Sequence, residues 1–250
     1  MTQASFPLTP SGSRLIRCLT DLAVTDIKVS QSHFAQRLAQ LIDLADSITI
    51  SSAHGKYRKP AAAAPAAAPQ TINDEFLRVR TSILHAIMKS FAASAGPSRI
   101  KLPVPAASRP VDNTEAFTPY LTFYTAHQAQ IDARVRGLHL RVREMATSVS
   151  PELAQLAALD TALGNTLAVH ARKSFAVIPG LLRQHFDHLL NDNARGEDCQ
   201  SDSNKVWMQL LQGFCSTLQG LLLAETEARL LPVLGLVEAI NADIDKTTYE

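Results

Sequence analysis

The chain has 250 residues, 46% of them hydrophobic and 19% charged, a balance that excludes a disordered polymer and leaves ample apolar surface for a core. Its net charge of +1 excludes bulk attraction to nucleic acid or to an anionic membrane. The charge is uneven, with 13 Lys/Arg against 6 Asp/Glu in residues 1–110 and 7 against 13 in residues 151–250, a pattern that solvated faces explain most simply.

Residues 1–10 form a tail with Pro7 and Pro10 and without an apolar leader segment. Ser11 or Ser13 caps a first helix with Leu15, Ile16, Leu19, Leu22 and Ala23 on its apolar face, ending near Thr25 and Asp26. A second helix follows Ser30 or Ser32, with Phe34, Leu38, Leu41, Ile42, Ala45 and Ile48 at helical spacing; the alternating SITIS run at 47–51 is too isolated for a sheet and reads as a fraying helix end. Pro60, Pro65 and Pro69 interrupt an alanine run and predict an exposed linker over 55–70. Thr71 or Asn73 then caps a third helix lined by Ile72, Phe76, Val79, Ile83, Ile87 and Phe91, which Gly96 and Pro97 stop. Four prolines make 97–112 a second linker or a long loop.

A long fourth helix is expected over 118–147, capped by Thr118 with Pro119 in its first position, with Tyr120, Tyr124, His127, Ile131, Val135, Leu138, Val142 and Met145 on one face. Ser150, Pro151 and Glu152 open a fifth helix in the same manner, and the short connection implies an antiparallel hairpin of 118–147 with 150–191. Pro179 and Gly180 should kink or break that helix. After a polar, acidic loop at 191–204 comes the most apolar stretch. Trp207, Leu211, Phe214, Leu218 and Leu221 recur at spacings of 4, 3, 4 and 3, and Leu210, Leu222, Leu231, Leu234, Val237 and Ile240 widen the face. These five are the predicted packing centre, with a kink near Pro232 and a frayed end at DKTTYE. The fold class is all-α: a helical bundle of about six helices, with a helical pair at 1–54, the linker at 55–70, and a bundle over 71–250 that contains the proline-rich loop.

Catalytic motifs are missing. No glycine-rich phosphate loop and no G-x-S-x-G turn occurs, and no Glu is followed by His at the spacing a di-iron bundle uses. His185 and His188 share a helix face and form a candidate metal pair, although no third ligand stands at a diagnostic spacing. His127 reads as a core histidine. Arg134 and Arg141, like Arg136 and Arg143, are seven apart, so these four with Lys56, Arg58 and Lys59 are the candidate contacts to nucleic acid. Glu225 and Arg229 have the spacing of an ordinary i, i+4 helix pair. Cys18, Cys199 and Cys215 suggest no knuckle or redox pair; Cys18 and Cys215 read as buried thiols, and a reducing compartment fits. No cofactor is implied.

Two segments, SGSRLIRCLTDLAVTD with FAQRLAQLIDLADSITIS (11–51) and LLLAETEARLLPVLGLVEAI (221–240), together with LAALDTALGNTL (156–167) and VIPGLLRQHFDHL (177–189) between them, resemble an uncharacterised proteobacterial domain of unknown function found in Burkholderia-like and Xanthomonas-like bacteria. The resemblance carries no functional residue. It implies a cytoplasmic helical protein whose gene neighbours resemble proton-channel stator proteins and peptidoglycan-binding proteins, and hence a soluble accessory to an envelope-spanning, ion-driven assembly.

The sequence therefore leads to a non-enzymatic cytoplasmic scaffold or adaptor with a protein partner, for which a stator-like membrane complex is one option. The alternatives are a nucleic-acid-associated protein that uses the basic helix and a metal-dependent helical bundle. Oligomer formation stays open.

Overall fold

A computed structural model describes residues 14–22, 42, 44–55, 69–92, 100–104, 113–193 and 200–249. Among the described residues the protein is an all-α bundle of seven helices: α1 (Arg14–Leu22), α2 (Leu44–Gly55), α3 (Pro69–Phe91), α4 (Asn113–Val149), α5 (Pro151–Ala176), α6 (Ile178–Asn193) and α7 (Gln200–Tyr249). The expected caps Ser11 and Ser13, the positions Phe34, Leu38 and Leu41, and most of both proline-rich stretches lie outside the described residues. Residues 47–51 are regular helix within α2. The start of α5 follows its local chemistry. The Ser150 hydroxyl accepts the Leu153 N–H at 3.3 Å, its carbonyl accepts the Ala154 N–H at 2.9 Å, and Pro151 takes the first position, where no N–H is needed.

Four expectations change. The fourth helix starts at Asn113, so Thr118 and Pro119 lie inside it. Phe117 explains the extension: it is buried, with ring centroids 5.6 Å from Phe186 and 6.4 Å from Phe214. Burying a phenylalanine gains about 1.5–3 kcal/mol and each ring pair about 0.5–1.5 more, enough to offset the roughly 3 kcal/mol of an interior proline. The break expected at Pro179 and Gly180 falls at Val177, and it makes the 150–191 segment two helices, seven in all among the described residues. Pro179 has no N–H for the Phe175 carbonyl four residues back, and that carbonyl instead accepts the Gln128 amide at 3.2 Å. The last helix begins at Gln200 and stays helical to Tyr249 through Pro232. Finally, Leu231 is 46% exposed while Leu230, Val233 and Leu236 are buried. Glu225 and Thr226 occupy the buried face below them, and a pattern that counts only apolar residues steps over them and loses the register.

Contacts divide the chain into two units, each with segments from early, middle and late in the sequence. Within unit 1 are α1, the described residues of Ile87–His127, and Val177–Ala228. Its centre is aromatic: Phe214 meets Phe186 at 5.0 Å and Tyr120 at 5.5 Å, Trp207 meets Phe186 at 6.2 Å, and Phe91 meets Phe123 at 5.1 Å. α1 packs on α6, and Arg14 pairs with Glu227 at 3.2 Å. In this unit α4 and α7 run in the same direction, because Phe117 faces Phe214 and, further along both helices, Tyr124 faces Glu225.

Within unit 2 are α2, α3 to Ala86, α4 from Gln128, α5, and α7 from Arg229. α1 and α2 fall in different units. Here α4 and α5 form an antiparallel hairpin: Arg143 meets Asp160 near the connection and Gln128 meets Phe175 far from it. α3 is antiparallel to α4, through Ser82 with Arg134 and Glu75 with Arg141. α2 lies against α5, where the Gln155 amide donates to the His54 carbonyl at 2.7 Å and the Thr166 hydroxyl to Asp46 at 3.1 Å.

Candidate interaction surface

The five residues read as the packing centre, Trp207, Leu211, Phe214, Leu218 and Leu221, are all buried, at 3% exposure or less. Their helix carries no Asp, Glu, Lys, Arg or His from Val206 to Ala224. A helix that is half in solvent normally puts charges on its outer face. The outer face of α7 in unit 1 instead consists of Met208, Gln209, Gln212, Gly213 and Ser216, all exposed, with Val206 at its start.

Two open grooves flank that face, both within unit 1. One, of about 440 Å³, lies against Phe91 and Leu102 and is walled on the α7 side by Met208, Gln212, Cys215 and Gln219. The other, of about 370 Å³, lies against His185 and Leu189 of α6 and is floored by Gly213 and Phe214. Gln209 borders both, so α7 forms a ridge between two troughs. The hydroxyls of Ser216 and Thr217 donate to their own helix, to the Gln212 carbonyl at 3.1 Å and the Gly213 carbonyl at 3.2 Å. The Gln219 amide donates to the Met88 sulfur at 3.2 Å.

The titratable groups along these troughs are held neutral. Burial pushes the Cys215 thiol up to about 11, and in the aromatic centre behind the troughs burial, with the nearby Cys215 as a smaller cause, pushes the Tyr120 phenol up to about 12. Burial and then the charge of His188 hold His185 below the usual histidine value. The ridge and its two troughs therefore present amides, a thioether and apolar carbon at neutral pH. Cys215 is half-buried, as is Cys18, rather than enclosed; Cys199 lies outside the described residues.

The candidate nucleic-acid arginines are tied into unit 2. Arg136 pairs with Asp132 at 2.7 Å, Arg141 with Glu75, and Arg143 with Asp160 at 2.6 Å, while Arg134 donates to the Ser82 hydroxyl at 3.1 Å. Lys56, Arg58 and Lys59 lie outside the described residues. The same Asp160 oxygen lies 2.7 Å from His139 Nε2, and Arg143 also reaches the Asp160 backbone carbonyl at 3.2 Å. Burial pushes the Asp160 carboxyl up, but His139 and Arg143 outweigh it and hold the carboxyl below its ordinary value. His185 stacks on Phe214 with centroids 6.1 Å apart, while His188 is exposed. Among the described residues no three His, Cys, Asp or Glu side chains are grouped as metal ligands.

Sequence patterns missed three features. The uncharged outer face of α7 was legible as a run without charges but was read only for its apolar half. The second is Glu225, fully buried and accepting the Tyr124 hydroxyl at 2.8 Å. Arg229, its i+4 neighbour, pairs with Asp132 at 2.9 Å in unit 2 and lies 3.8 Å over the Phe175 ring. The third is the unsatisfied ring nitrogen of His127, whose place in the core the sequence did show. The His127 Nε2 is 2.9 Å from the Ser90 hydroxyl, which donates its own proton to the Ile87 carbonyl at 2.7 Å. Ser90 must therefore accept from His127, which places the ring proton on Nε2. Nδ1 is left buried without a partner among the described residues, and burial lowers the group to about 4.

A family model described as a protein of unknown function, DUF3348, matches residues 1–242. The chain belongs to that family. Neither a search of curated proteins nor one of solved structures gave a match. Among the described residues of this family member, no helix is long and apolar enough to cross a membrane.

Proposed function

We propose that the chain is a non-enzymatic helical scaffold or adaptor whose recognition surface is the uncharged ridge of α7. The observation that carries this reading is the exposure of Met208, Gln209, Gln212, Gly213 and Ser216 between two open troughs, on a helix stretch with no charge from Val206 to Ala224. A ridge of this chemistry suits a helical protein surface better than a small polar substrate: apolar carbon and thioether supply contact area, and amides supply adaptable hydrogen bonds. The charged side chains support the same reading from the other direction. Arg141, Arg143 and Arg229 bind carboxylates on neighbouring helices, an arrangement suited to holding helices together. The partner class suggested by the family resemblance is a cytoplasmic portion of a stator-like, ion-driven envelope complex, with the chain itself in the cytoplasm.

The test is crosslinked capture from native cells with the full chain as bait, beside a Gln209→Glu, Gln212→Glu double variant. The expected result is a defined protein set recovered with the wild type and lost with the variant. Equal recovery by both, or nucleic acid as the species retained, would overturn the reading.

A further inference from the structure

We infer that the α7 ridge of unit 1 docks onto a second copy of this chain, the two ridges meeting across a twofold axis. This rests on the ridge being the recognition surface and names a second copy as its occupant, so that the dimer, and not the single chain, is what meets a further partner.

Three observations select a copy over a foreign partner. The first is charge. In a twofold contact, residues near the axis meet their own counterparts. A lysine or glutamate there faces a like charge, so a surface that pairs with itself is best without charges. The outward residues Met208, Gln209, Gln212, Gly213 and Ser216 meet that condition within a run from Val206 to Ala224 that has none. Cys215 and His185 in the bordering troughs stay neutral at neutral pH.

The second is hydrogen bonding. The side-chain amides of Gln209 and Gln212 are exposed, one turn apart, and make no hydrogen bond among the described residues. An amide carries both a donor and an acceptor and so complements a copy of itself, which neither a carboxylate nor an ammonium does. The hydroxyls beside them are already committed to their own helix.

The third is shape. A ridge with a trough on each side is complementary to itself, because the ridge of one copy fits a trough of the other. Gly213 fits this geometry. A Cβ there would meet nothing within 4 Å, so nothing inside the described chain calls for glycine, although glycine inside a helix costs about 1 kcal/mol relative to alanine. A bare backbone on the floor of the trough beside α6 lets the ridge of the other copy come close.

The experiment is sedimentation equilibrium or light scattering on the full chain. The wild type is expected at twice its 27.1 kDa mass. The Gln209→Glu, Gln212→Glu variant should raise the dissociation constant at least ~10-fold, since like charges then face each other. The Gln209→Lys, Gln212→Lys variant should do the same, and mixing the two should restore a dimer, which a misfolded variant would not do. A wild type that stays monomeric up to roughly 100 µM, or a dimer indifferent to both variants, overturns the inference. A monomer that still captures another protein in a ridge-dependent way would sink this inference and leave the adaptor reading standing. A ridge-dependent dimer that captures nothing else would do the reverse.

Discussion

In unit 1 the helices meet through rings, with Phe117, Tyr120, Phe186, Trp207 and Phe214 in mutual contact. In unit 2 they meet through guanidinium groups and carboxylates, with Arg143 and His139 on Asp160, Arg141 on Glu75, and Arg229 between Asp132 and the Phe175 ring. α3, α4 and α7 each contribute to both units, so the same helices change their chemistry along their length. The difference shows how cohesion and surface are linked. Unit 1 buries large aromatic area and carries no charges on the outer face of α7, whereas unit 2 packs aliphatic side chains such as Ile83, Ile131, Leu138 and Val233 and adds ion pairs that fix the register of its helices. The charge-free face belongs to the unit with the aromatic centre.

The largest expected effect comes from breaking the aromatic side. Phe214→Ala should cost about 3–5 kcal/mol in urea unfolding, because the ring is fully buried among four others and its loss leaves a cavity. An effect below about 1 kcal/mol would mean that the ring cluster does not hold the unit together.

Next is the pH dependence of His127. Its value in the fold, about 4, lies below the unfolded value near 6.5. The unfolded chain therefore binds this proton first as pH falls. The contribution is fully present above about pH 6.5 and is lost progressively toward pH 4, with a magnitude on the order of 3 kcal/mol. His127→Gln should flatten that part of the stability profile; an unchanged slope would assign it to other histidines.

The smallest expected effect is on the polar side. Asp160→Asn keeps the shape but removes the charge shared by Arg143 and His139, and should cost about 1–3 kcal/mol, reduced by the partial exposure of all three groups. Because Asp160 is held below its ordinary value, the wild type should keep this contribution above about pH 4 and lose it in stronger acid, while the Asn variant shows no such loss. A cost equal to that of Phe214→Ala would erase the contrast between the units.

Much of this fold could be read from spacing. The apolar stripe from Trp207 to Leu221, the Ser150–Pro151 start of α5 and the hairpin it creates follow from local rules with local causes. The misreadings have a common origin in partners distant in sequence. Phe117 extends α4 past Pro119 because Phe186 and Phe214 wait for it. Glu225 is tolerated in the core because Tyr124 meets it. Asp160 matters because Arg143 and His139 converge on it, and nothing in the single residue announces this. The ridge was half legible: its freedom from charge is in the sequence, but the troughs that give it a shape arise from where Phe91, Leu102 and α6 come to rest.

The one-residue connection at Ser150 has a consequence for time. Arg143 and Asp160 are 17 positions apart, so the α4–α5 hairpin closes a short loop, and short loops close quickly and with little entropy loss. The ring cluster must gather residue 117 with residues 186 and 214 before it exists at all. As the chain leaves the ribosome, Phe117, Tyr120 and Phe186 have no Phe214 to cover them until α7 emerges. During that interval Phe117 and Tyr120 on α4 and Phe186 on α6 present an aromatic surface that the finished fold covers.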